Sequence, residues 1–308
     1  MYRLNYEKRD MGSSFALAVG VMIIASLVLG LVFGQASGPL YWVMQALYTV
    51  LIGGSAFIYA AITKTNVVAA TKLAKPPKYA HFLWGCLAVA FLIFCMTPLN
   101  NWLMDAIEAL GLPRPSVNMD DNLAGLLVVA CLLPCFTEEI VFRGTVAQSL
   151  EGNKNKLAAL AISGALFALF HANPAQTVHQ FVLGAFLTLL VYRSGSLWTS
   201  VIVHFFNNAL VVVLSYCTPL GADTFWTAKS NLGWVLALFF VGIAGFSLCV
   251  FGYVKTTKSV WQQNELQDSE TEQDSVSKNT ERNVTSTVLL FVAVGVCLAL
   301  WVTSLFVQ

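Results

Sequence analysis

The sequence predicts an all-α, polytopic integral membrane protein with about eight or nine transmembrane helices. Three observations carry this. Of 308 residues, 57% are hydrophobic and only 11% are charged, against roughly 25% charged in an ordinary soluble domain. Apolar runs of roughly 20 residues, the length that crosses a bilayer as a helix, recur along the whole chain. The basic residues are sorted between alternate loops, as they are in membrane proteins.

Taken in order, the apolar runs fall at 13–34, 41–62, 80–99, 123–142, 157–172, 177–192, 197–217, 231–254 and 286–307. The count is nine, and the runs at 157–172 and 177–192 are short enough to be tilted, joined or partly re-entrant. The first run follows the charged "MYRLNYEKRD" and shows no small-residue cleavage site, so it reads as an anchor. With nine alternating spans and the amino terminus in the cytoplasm, all of the 17 Lys and Arg residues except Arg114 and Lys229 fall inside. That is the expected orientation.

Between the spans, "NNWLMDAIEALGLPRPSVNMDD" is expected to hold a short interfacial helix that "PRPS" ends. Residues 259–283, "SVWQQNELQDSETEQDSVSKNTERN", are polar and acidic, and predict a disordered cytoplasmic linker. The organisation is then an integral membrane domain over 1–258, with its core at 123–217, this linker, and a last transmembrane helix within 284–308. The seven cysteines show no CxxC pair and sit in or at the ends of apolar spans, where they read as filler. A net charge of +1 gives no reason to expect a nucleic-acid partner. No GxxxxGK[ST] loop is present, which argues against an ATP-driven pump.

The fourth span raises a physical problem. "CFTEEIVFRG" places Glu138, Glu139 and Arg143 in an apolar stretch, where an acidic residue costs about 2.5–3.5 kcal/mol on insertion scales. Residues four apart share a helix face, so Glu139 stacks on Arg143 with the acid on the amino-terminal side, the better order. Glu138 has Pro134 and Phe142 as its four-apart neighbours and must face something else. Pro134 lacks an N–H and predicts a kink beside the glutamates. A Glu–Arg pair holding two helices, with Glu138 protonated in a packed interface, is the structural alternative for these three residues, although ionisable groups inside membranes are functional by default.

Other spans add polar groups. "FALFHANP" puts His171 at the end of the fifth, and "VIVHFFNNAL" puts His204 and Asn208 on one face of the seventh. Each needs partners in lipid, and the nearest supply is one another, which predicts a shared polar cavity. His81 lies at a membrane edge. His179, with Gln176 and Gln180, opens the sixth span, where it is placed to line the cavity mouth, although both histidines read first as packing residues.

"EEIVFRG", "FALFH" and "HFFNN" resemble the EExxxR, FxxxH and HxxxN motifs of the CPBP membrane proteins. These comprise the CAAX-processing endopeptidases and the bacteriocin-processing and immunity proteins, also called Abi proteins. The resemblance covers residues 138–208, with the motifs in the expected order. It implies a CPBP-like helical core and a glutamate-dependent intramembrane endopeptidase without a cofactor. By motif, Glu138 corresponds to the general base on a water, with His171 assisting. His204 and Asn208 correspond to oxyanion donors, Asn208 being chosen over Asn207 by spacing. Glu139 and Arg143 correspond to the pair that shapes the site. The implied partners are a peptide or membrane-protein substrate and membrane lipid, in a bacterial cell membrane.

Four rivals stand beside this reading. Glu138, His171 and His204 offer a His₂Glu set for zinc, although HExxH is absent. A serine protease drawing on "RSGSLWTS" leaves the glutamates unexplained. A non-catalytic scaffold or immunity protein would keep the cavity for binding. A transporter would use the same groups as a proton relay.

Overall fold

A computed structural model describes residues 2–34, 36–112, 122–153, 155–218, 220, 223–258 and 284–306. The expected linker at 259–283 and the "PRPS" segment lie outside the described residues. The described chain is helical, with no β-strand in it. Its α-helices are α1 (Asp10–Phe33), α2 (Pro39–Ile62), α3 (Val67–Ala70), α4 (Tyr79–Ala109), α5 (Leu123–Leu126) and α6 (Leu133–Val141). They continue as α7 (Lys156–Phe170), α8 (Thr177–Ser194), α9 (Leu197–Cys217), α10 (Asp223–Thr227), α11 (Leu232–Thr256) and α12 (Val284–Thr303).

Eight helical stretches among the described residues are long and apolar enough to cross a membrane, and the protein is an integral membrane protein. The run without a membrane-length helix is the fifth, 157–172, which forms α7. At 15 residues it is about 22 Å long, short of the ~30 Å hydrocarbon layer. The third segment differs in the other direction. α4 runs for 31 residues through Pro98 and absorbs the interfacial helix expected after residue 100. Nothing in "NNWLMDAIEA" breaks a helix, so the span continues past the membrane length instead of stopping and restarting.

α7 and α8 form an antiparallel hairpin that glycines allow to close. A Cβ on Gly164 would stand 2.6 Å from the Phe181 carbonyl oxygen, and one on Gly184 would stand 3.0 Å from Gly164 Cα. Asn155 starts the hairpin by capping α7 through Ala158 N–H at 3.0 Å. At the bend, Asn173 accepts from Ala175 N–H at 2.9 Å. Ala172 between them has φ +45°, a left-handed conformation that costs a non-glycine residue roughly 1–2 kcal/mol.

Among the described residues, two large apolar cores join the helices. One joins Phe15 and Val19 of α1, Ile52 and Ala56 of α2, Phe142, and Phe167 and Phe170 of α7. The other joins Val89 and Leu92 of α4, Leu187 and Leu190 of α8, Val203 and Tyr253. Several basic residues near helix ends are paired. Arg3 pairs with Asp10, Lys72 pairs with Glu151, and Arg193 donates to Thr257 Oγ1 and the Val254 carbonyl.

The stretch between α5 and residue 150 winds irregularly. Leu127–Leu132 and Phe142–Val146 are π-helical, and α6 lies between them. Such turns are rare and cluster at functional sites. The kink expected from Pro134 therefore takes the form of a widened turn just before it.

Candidate active site

Pro134 has no N–H for the Ala130 carbonyl four residues before it. That carbonyl instead accepts from Asn208 Nδ2 of α9 at 3.0 Å. The break in α6 and the HxxxN motif are thus two sides of one contact. Asn207 Nδ2 in turn donates to Asn208 Oδ1 at 3.0 Å.

The two adjacent glutamates separate by burial. Glu139 and Arg143 side chains are both 0% exposed, whereas Glu138 keeps 18% of its surface and His171 17%. Glu138 is the reachable acid. Glu139 Oε1 accepts from Arg143 Nη1 at 2.7 Å, as the four-residue spacing predicts, and also meets His204 Nδ1 at 2.9 Å. A carboxylate only accepts, so Nδ1 of His204 carries the proton and Nε2 is the ring nitrogen left over. Arg143 further donates from Nη2 to the Gly184 carbonyl at 3.2 Å, while Gln148 Nε2 donates to the Arg143 carbonyl at 2.9 Å.

His171 is oriented the same way. Its Nδ1 lies 2.8 Å from the Phe167 carbonyl one turn back, an acceptor, so Nδ1 again carries the proton. Nε2 then faces Glu138 Oε2 at 3.8 Å, too long for a direct hydrogen bond. Glu138 Oε2 is buried and accepts no hydrogen bond from the described residues. Two acceptor atoms therefore face each other at a distance that one small donor, such as a water molecule, can span.

Phe167 is the piece that ties these groups together, and spacing alone did not single it out. Its ring lies edge-on to His171 at 4.7 Å and to His204 at 5.9 Å between centroids. The Arg143 guanidinium carbon stands 4.1 Å from the same ring's centroid, within the range of a cation–π contact. The signal was present in FxxxH, where the phenylalanine and the histidine share one helix face.

The structure thus brings Glu138, Glu139, Arg143, His171 and His204 into one cluster, and turns the Asn208 amide to the adjoining π-turn. It adds His179, whose polar neighbours are Asn207, His204 and His171. His81 stays apart, edge-on to Tyr253 at 6.0 Å. Among the described residues, no three His, Cys, Asp or Glu side chains converge to hold a metal ion.

An apolar groove of about 660 Å³ runs beside α6, between α2 and α9, with Gly53, Gly54, Phe57, Ile140, Trp198 and Phe205 in its walls. None of the motif's polar side chains lines it.

Comparison with known proteins adds one positive finding. A family model for Rce1-like type II CAAX prenyl endopeptidases matches residues 120–210, the stretch that contains all three motifs. The match supports the CPBP/CAAX intramembrane protease family for this region and points to protease activity. A search of curated proteins gives no match.

Proposed function

We propose, from the CAAX prenyl endopeptidase likeness of residues 120–210, that this membrane protein is an intramembrane endopeptidase. It hydrolyses peptide bonds of membrane-associated or lipidated peptides with a water activated by Glu138 and His171. The observation that carries the reading is the pair of acceptors, Glu138 Oε2 and His171 Nε2, 3.8 Å apart. A water between them donates one O–H to each, which leaves its lone pairs free to attack.

The steps follow from these positions. The water oxygen adds to the scissile carbonyl carbon as its proton passes to Glu138. The carbonyl oxygen takes the negative charge, and His204 and Asn208 donate to it. His204 already gives Nδ1–H to Glu139, so donation from Nε2 requires the imidazolium, for which the Glu139 carboxylate is a counter-charge. Asn208 spends one amide hydrogen on Ala130 and has a second to offer. The proton held by Glu138 then goes to the departing amine, and the carbon–nitrogen bond breaks. Glu139 and Arg143 touch no reacting atom and hold His204 in place.

The reading is metal-free, because it gives Asn208 a role and because, among the described residues, no three His, Cys, Asp or Glu side chains converge on one point. The apolar groove along α6 suits a hydrocarbon chain or an apolar segment of a membrane-associated substrate. The sorting of basic residues between alternate loops supports a cytoplasmic amino terminus. Comparing membrane peptides from cells with the wild-type protein and with Glu138→Ala tests the function. Fragments that disappear only in the variant are the expected result, and identical peptide sets reject it.

A further inference from the structure

The hydrogen-bond directions beside the cluster are forced from one end. The Ala130 carbonyl can only accept. The Asn208 atom facing it at 3.0 Å must therefore be nitrogen, and Oδ1 must face the other way. Asn207 approaches that oxygen at 3.0 Å, so Asn207 presents its own nitrogen. Its carboxamide oxygen then points away from Asn208. This oxygen is buried in a side chain only 3% exposed, and no hydrogen bond of good geometry closes on it among the described residues. The polar side chain against Asn207 is the imidazole of His179 at the start of α8. An oxygen that only accepts needs an N–H from that ring.

We propose that His179 is a positioning residue of the active site, donating to Asn207 so that the row His179, Asn207, Asn208, Ala130 runs in one direction. This rests on the proposed function for its consequence, since Asn208 is there an oxyanion donor. With the row aligned, the second amide hydrogen of Asn208 has a fixed direction. Without a donor at position 179, the Asn207 oxygen is left buried and unpaired. Rotating both amides then satisfies it, at the expense of setting Asn208 Oδ1 against the Ala130 carbonyl. The two arrangements compete, and the oxyanion donor is correctly aimed only part of the time.

Kinetics on the purified full chain with a cleaved peptide test this. His179→Leu is expected to lower kcat about tenfold, the scale of one buried unpaired acceptor, with KM within twofold and the thermal midpoint lowered by only a few degrees. His179→Gln, which returns an N–H donor, is expected to recover most of the rate. Asn207→Leu, which ends the row, should match His179→Leu, and the double variant should be no worse than either, as members of one network behave. Wild-type kcat in His179→Leu, or equal impairment of the Gln and Leu variants, overturns the proposal. A separate readout does not depend on turnover. The ¹⁵N signals of the His179 ring should shift in Asn207→Leu, and unchanged signals also overturn it. Absence of Glu138-dependent cleavage in the wild type rejects the proposed function alone, and the ¹⁵N measurement still decides whether the row exists.

Discussion

His204 Nδ1 lies 2.9 Å from Glu139 Oε1, the same oxygen that accepts from Arg143 at 2.7 Å. One carboxylate atom thus serves a helix neighbour and a side chain 65 residues away. The four-residue spacing accounts for the first partner. The second makes Glu139 the link between α6 and α9.

Removing that link leaves a buried guanidinium and an imidazole without their acceptor. Glu139→Ala is expected to destabilise the protein by about 3–5 kcal/mol, the usual cost of breaking a buried pair. Thermal unfolding in detergent measures it, and activity should fall in step. A variant with an unchanged midpoint would show that the pair is not holding the helices together.

Glu138 is predicted to behave oppositely. Glu138→Gln keeps the volume of a side chain that is partly exposed and unpaired, so the midpoint should stay within a few degrees. Turnover of the purified protein should drop about 10³-fold, within the range for loss of a general base. Retained turnover is incompatible with the mechanism.

Pro134→Ala returns an N–H that competes with Asn208 for the Ala130 carbonyl. The helix should gain stability while kcat falls about tenfold, the loss of alignment at one oxyanion donor being less than the 10²–10³ for its removal. Paired kinetics and unfolding measure this. A more stable protein with full activity would separate the π-turn from catalysis.

Chelation addresses the zinc alternative. Treatment with 1,10-phenanthroline should leave the rate within twofold, and elemental analysis should find no stoichiometric metal. Loss of activity that added zinc restores would reverse the metal-free reading.

Much of this was legible in the sequence because membrane burial makes polar groups conspicuous. Glu139 with Arg143 followed from one helical turn. The convergence of three spans followed from the need of each polar group for a partner away from lipid. The π-turns were less accessible, since they depend on a contact from α9 that no local pattern in "LVVACLLPC" encodes. Pro134 announced a break but not its shape. Phe167 was visible as the aromatic of FxxxH and His179 as a histidine placed at the cavity mouth, but what they do depends on contacts between helices. The shortness of α7 showed as a short apolar run, while the length of α4 was concealed by polar residues that its helix carries past the membrane.

The complete enclosure of Arg143 bears on how the chain is made. Its acceptor at Gly184 and the imidazole at position 204 lie in segments that a ribosome delivers only after α6 has left the exit tunnel. Until those segments arrive, α6 and the π-turn after it carry Glu138, Glu139 and Arg143 with at most one internal pair among them. A nascent chain halted before α9 therefore lacks the imidazole that Glu139 holds in the finished bundle, and its polar seam is uncovered.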